Sequence, residues 1–191
     1  MQQVIGQIQA LFTKCTNIPV TGINKLPQAG SDRHYFRIHT AQKNFIATYG
    51  LNIKENETFL YFSERFHTQQ LCTPELICVS DDKTIYIQED FGAVCLLDKL
   101  EEQGFTDEVY RLYQQSLAEL ARLQVKGHQV IDYSKCLTNA EFGKEAILSD
   151  LLYFKYYFLD ALARPYDKQK LLNDFDALSN YLAHTEYKYF M

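Results

Sequence analysis

Val4, Ile5, Ile8, Leu11, Phe12 and Cys15 recur at the spacing of one helical face, which predicts an amphipathic first helix. Pro19 and Gly22 in NIPVTG interrupt it. INKLPQ, YFRIHT and NFIATYG follow as short runs rich in β-branched and aromatic residues, parted by AGSDRH and by the polar turn AQK. That pattern predicts three strands in an antiparallel meander. IKENETFLYFSERFH opens polar and sets Phe59, Phe62 and Phe66 on one helical face. A link containing Pro74 leads to LICVS, Asp81-Asp82 marks a turn, and TIYIQE returns as a hairpin partner.

Beyond Gly92 the period is helical. LLDKLEEQG predicts a short helix and TDEVYRLYQQSLAELARLQVKG a long one, with Val109, Leu112, Tyr113, Leu117, Leu120 and Ala121 as its apolar stripe. Thr106 is placed to cap that helix, Asp107 and Glu108 suit its positive end, and Gly127 is expected to stop it. EFGKEAILSDLLYFKYYFLDALA is apolar on most sides and predicts a buried helix ended by Pro165. Asp167 is expected to cap a last helix running to about His184, and EYKYFM reads as an aromatic, extended segment. The fold class expected is α+β: a five-stranded antiparallel sheet with a helix over residues 1–90, then helices over 91–191.

Composition narrows the function. The 191 residues are 47% hydrophobic and 14% aromatic, enough to pack a core in one medium domain or one domain and part of another. The net charge is −5 and Lys and Arg are scattered, which argues against a nucleic-acid-binding face. Five cysteines without a C-x-x-C pair argue against a zinc ribbon or redox dithiol and suggest five buried or half-buried thiols in a reducing compartment. The five histidines form no close-spaced pair and no G-x-S-x-G elbow is present, so no metal or hydrolytic centre is visible. MQQVIGQIQALF lacks the basic start and cleavage site of a secretory signal, and no apolar run is long enough to cross a bilayer. The expectation is a soluble cytoplasmic protein with no membrane partner.

Three stretches could carry chemistry. In LPQAGSDRHYFRI, Gly30 sits among small and polar residues between two strands, so backbone N–H groups could turn toward phosphate; Ser31 adds a hydroxyl and Arg33 a charge. A plain hairpin turn reads equally well from those letters. Glu55 and Glu57 open the helix after the third strand, where they complement its dipole or brace a phosphate-binding lysine. NFIATYG offers no interior lysine: Lys43 stands at its start and Lys54 lies beyond its end. IQEDFG contains D-F-G, the triplet that holds magnesium in protein kinases.

Taken in order, LPQAGSDRHYFRI, KENETFLYFSERF, TPELICVSDDKTIYIQEDFG and the LAELARLQ helix resemble the aminoglycoside phosphotransferase and choline kinase-like superfamily. The likeness is greatest to its bacterial branch of amino-sugar anomeric kinases, and it covers residues 15–191. The resemblance implies a protein-kinase-like N-lobe followed by an incomplete helical C-lobe. It implies that Gly30, Ser31, Asp32 and Arg33 form the phosphate-covering loop and that Glu55 is the helix acid, with Glu57 as fallback. Ile87 would sit behind the adenine, and Gln88, Glu89 and Asp90 would form the hinge whose backbone holds the base. Thr48 or Ala47 falls near the place of the missing strand lysine, with Arg33 or Arg37 able to supply charge.

ATP and Mg²⁺ are the expected cofactors of the full-length protein, and a small-molecule phosphate acceptor its expected partner. The proton-accepting Asp, the following Asn and the metal-binding Asp of the superfamily have no counterpart here, so the chain is expected to stop before the catalytic loop, at EYKYFM. The D-F-G letters precede every C-lobe helix, so Asp90 is expected to be hinge rather than metal ligand. The function implied is the N-terminal part of an ATP-dependent phosphotransferase acting on a sugar, amino sugar, aminoglycoside or choline-like hydroxyl, this chain itself being inactive. The alternative is a non-catalytic nucleotide-binding or interaction module.

Overall fold

A computed structural model describes residues 1–28, 30–137, 140–163, 165–186 and 189. The chain divides into two compact units, Met1–Ile131 and Asp132–Met191. The first unit opens with α1 (Gln2–Thr16), whose Ile8 and Phe12 are fully buried. Asn17 ends it in a left-handed conformation, φ 56°, with its N–H on the Thr13 carbonyl.

Five strands follow: β1 (Gly22–Lys25), β2 (His34–His39), β3 (Asn44–Tyr49), β4 (Leu76–Val79) and β5 (Ile85–Glu89). They form one sheet in the order β1-β2-β3-β5-β4, antiparallel throughout. The expected mixed α+β architecture with a five-stranded antiparallel sheet is therefore present. The register decides which side chains meet. Phe36, Ile38, Phe45, Ala47, Ile85 and Ile87 join Ile8 and Phe12 of α1 in one apolar cluster. Strand alternation sends the intervening residues to the other face, where Arg37 lies opposite Ile46 and Ile46 opposite Gln88. One step along, Tyr35, Thr48 and Tyr86 are likewise in line.

That second face receives α2 (Ile53–Thr68), and Phe59 stacks on Tyr86 at 4.7 Å between ring centroids. Asn52 caps α2 by accepting from the Glu55 N–H. Asn56, fully buried one turn in, donates to the carbonyls of Gly50 (2.9 Å) and Lys83 (2.8 Å). It ties the entry of α2 to the β4–β5 turn.

The first unit continues through α3 (Leu96–Gln103) and α4 (Asp107–His128). Thr106 caps α4 as expected, accepting from the Val109 N–H. Gly127 does not stop the helix: it is buried within the last turn, and Gln129 follows in right-handed geometry, so no left-handed residue is needed there. In the predicted stripe Val109 is buried, whereas Tyr113, Leu117 and Leu120 are exposed. Strand gives way to helix near residue 90, yet the first unit extends to Ile131 because α4 packs on both α2 and α3. The Arg122 guanidinium also donates to the Gln70 carbonyl at 3.2 Å.

The second unit contains α5 (Lys144–Phe154), a π-helical turn at Lys155–Leu159, and α6 (Lys168–Ala183), with α5 packed on α6. Asp167 caps α6 through the Lys170 N–H, as its position predicts. The buried helix expected over residues 141–163 is instead α5 plus the π turn, and Tyr153, Phe154, Tyr156, Tyr157 and Phe158 are exposed. Lys155 is buried within this widened turn, with its Nζ 2.9 Å from an Asp160 carboxylate oxygen. The extended segment expected at EYKYFM lies outside the described residues, apart from 186 and 189. Among the described residues no helix is long and apolar enough to cross a membrane.

Candidate functional site

The α2 side of the sheet has polar machinery at both ends. At one end, the β1–β2 connection closes with the Leu26 N–H on the Tyr35 carbonyl, and Gln28 donates to the Ser31 carbonyl at 3.3 Å. The Ser31 hydroxyl accepts the Arg33 N–H at 3.3 Å, and Asp32 is exposed. A Cβ on Gly30 would meet open space, so the loop leaves room above its backbone there.

Arg33 turns from this loop to α2. Its Nη2 lies 2.9 Å from Glu55 Oε1 and 3.4 Å from the Glu55 carbonyl, 22 residues away in sequence. The guanidinium also lies over the Phe59 ring, 5.7 Å from its centroid. Arg33 Nε is buried and has no hydrogen-bond partner among the described residues. Gly50 makes this possible, since a Cβ there would stand 3.4 Å from Arg33 Cγ and 3.0 Å from Asn56 Oδ1. Tyr86 lies beneath the pair, and burial pushes its phenol above the ordinary range, so it stays a neutral wall. Of the two acids at the head of α2, Glu55 faces the loop, while Glu57 pairs with Lys83 of the β4–β5 turn at 2.5 Å.

At the other end, β5 leaves the sheet. Ile87 is fully buried in the cluster under α1, on the face opposite to Gln88. Gln88 keeps a buried Oε1 without a partner among the described residues. Glu89 is held on both sides: its N–H donates to the Glu75 carbonyl at 3.0 Å, and its carboxylate accepts the Glu75 N–H at 3.2 Å. Asp90 is clamped by Arg37 of β2, with Nε 2.6 Å from Oδ2 and Nη2 3.1 Å from Oδ1. Oδ1 further accepts the Gly92 N–H at 2.8 Å, while Arg37 also donates to the Gly92 carbonyl at 3.2 Å.

Gly92 adopts φ +98°, a region closed to most side chains, which lets the chain fold back on Arg37. Lys43, Asn44 and residues 89–92 line a pocket of about 170 Å³ here. The Asp90 side chain is only 4% exposed and its oxygens are engaged by Arg37 and Gly92. The D-F-G triplet is a strand-exit clamp.

Sequence reasoning missed Arg37–Asp90 and the Asn56 bridge. The first was detectable in principle, because Arg37 alternates with the core residues Phe36 and Ile38 and so must share a face with Thr48 and Gln88. Asn56 gave no such signal, since the first turn of a polar helix start normally faces water.

A second polar cluster lies in the other unit, where Asp160 accepts from both Lys155 and the Tyr166 hydroxyl. These bonds hold the Asp160 carboxyl below its ordinary range, Tyr166 being the larger cause, and push Lys155 up, chiefly through Asp160. The cluster pins the π turn. Among the described residues, no three His, Cys, Asp or Glu side chains are grouped so as to hold a metal ion.

The sequence matches no protein-family model and no curated protein.

Proposed function

We propose that the first unit is the nucleotide-binding lobe of an ATP-dependent phosphotransferase acting on a hydroxyl of a small molecule such as a sugar, amino sugar, aminoglycoside or choline-like alcohol. The observation that carries the reading is the placement of two binding ends on one sheet face. Arg33 and Glu55 meet at the β1–β2 loop, and Gln88 to Gly92 leave β5 at the other end. A nucleotide laid along this face would put its phosphates under the Gly30–Arg33 loop and its base against the strand exit.

The residues present fit such a ligand. Arg33 Nε is a buried donor without an acceptor, and Gln88 Oε1 a buried acceptor without a donor. Both are expensive to leave unmet, at about 1–3 kcal/mol each. Bound ATP would supply the transferable phosphoryl group. The chain's own part is to seat it: loop N–H groups around Gly30 take phosphate oxygens, the Arg37–Asp90 clamp fixes the strand exit, and Tyr86 with Phe59 excludes water from beneath. Mg²⁺ finds no ligand set among the described residues and enters no step here.

The non-catalytic nucleotide module remains the second reading, favoured by one observation: β3 turns Ile46 and Thr48, not a lysine, toward this face.

Displacement of a fluorescent ADP analogue tests the proposal. The chain should bind the analogue weakly and release it to ADP and ATP, with little thermal stabilisation by Mg·ATP. No binding at millimolar nucleotide overturns it.

A further inference from the structure

We propose that Arg33 carries the phosphate charge in this chain in place of a strand lysine, with Glu55 as its positioning residue. This rests on the nucleotide reading above and assigns the chemistry of one end of that site.

The cations near this face are few. Lys43 lies toward Glu89 at the strand-exit end, 3.9 Å away, and Lys83 is paired with Glu57. Arg37 is committed: it contacts both oxygens of a carboxylate that is 4% exposed, and the Gly92 carbonyl as well. Drawing Arg37 toward a ligand would strand a buried charge.

Arg33 differs in how its carboxylate partner is held. It has a single carboxylate contact, to a Glu55 side chain that is 32% exposed, and the ring of Phe59 holds its guanidinium. Its Nε–H lacks an acceptor, so one edge of the fork is unused. A guanidinium presents its donors in a rigid plane that suits two phosphate oxygens. Its stem passes over Gly50, where a side chain would crowd it, and its backbone is fixed by Ser31.

Glu55 then does for Arg33 what a helix acid does for a lysine, holding the cation in place until phosphate arrives.

Calorimetry on the whole chain with adenosine and ADP tests the assignment. Wild type should bind ADP more tightly than adenosine. Arg33→Ala should reduce that ratio to near one, with the amide spectrum of the α1-side core intact. Arg33→Lys should restore only part of the ratio, because it returns charge without the fork, and Glu55→Gln should lower the ratio severalfold. An unchanged ADP-to-adenosine ratio in both Arg33 variants overturns the assignment while the nucleotide reading stands. Failure of wild type to bind either ligand overturns both.

Discussion

Removal of Asp90 puts the reinterpretation of the D-F-G letters at risk in a measurable way. Asp90→Ala leaves the Arg37 side chain, 19% exposed, facing a hole where two contacts at 2.6 and 3.1 Å used to be. It also deprives the Gly92 N–H of its acceptor. Breaking a buried ion pair by deleting one partner costs about 3–5 kcal/mol. Arg37 keeps some access to water, so the low end of that range is expected, about 3 kcal/mol, including about 1 kcal/mol for the Gly92 bond. Urea unfolding followed by far-ultraviolet circular dichroism and tyrosine fluorescence would report this as a lower midpoint at unchanged slope.

The paired replacement Arg37→Met with Asp90→Leu should recover most of the loss, because no charge is left uncompensated. Magnesium should make no difference to either protein. A loss below about 1 kcal/mol, well under the range for a broken buried pair, would refute the clamp. So would a double variant as unstable as the sum of its singles. Magnesium-dependent stability that vanishes with Asp90 would restore the metal-ligand reading.

Other substitutions probe the same frame. Gly50→Ala brings a Cβ to 3.0 Å from Asn56 Oδ1 and 3.4 Å from Arg33 Cγ; overpacking of this kind costs about 1–3 kcal/mol, and ADP affinity should fall with stability in paired melting and binding measurements. Phe12→Ala, at a fully buried site in the α1-side cluster, should cost about 3–5 kcal/mol in urea unfolding without altering the ADP-to-adenosine ratio. Burial, with the neighbouring Cys15 thiol, pushes Cys78 from 9.0 up to about 12. The folded state therefore keeps its proton where the unfolded chain releases it, so this group's contribution to stability is complete below about pH 9 and is lost as pH rises toward 12. Iodoacetamide at pH 8 should modify the exposed Cys72 and spare Cys78, read by peptide mass; equal labelling would contradict that.

The sheet was readable because its signals are local. Alternation in YFRIHT, NFIATYG and TIYIQE, with turn residues between them, places three strands within a residue or so of the observed β2, β3 and β5. Caps were readable for the same reason, and Thr106 and Asp167 both accept the N–H groups their positions predict. What failed was long-range or depended on burial. KEAILSDLLYFKYYFL looks like a buried helix in apolar count, but its register turns π-helical at Lys155, which is buried, while the aromatic residues on either side are exposed. The pairings Arg33–Glu55 and Arg37–Asp90 join residues 22 and 53 apart. They follow from sheet register, which the sequence specifies only once the strand order is known.

The central claim is that a nucleotide lies along the α2 side of the sheet, phosphates at Arg33 and base at the exit of β5. Amide chemical-shift mapping of the whole chain during titration with ADP tests it directly. The account predicts shifts at Gly30–Arg33, at Glu55 and at Gln88–Gly92, with the α1-side core and the second unit unchanged. Saturating ADP that moves none of these, or that moves only residues of the second unit, would contradict it.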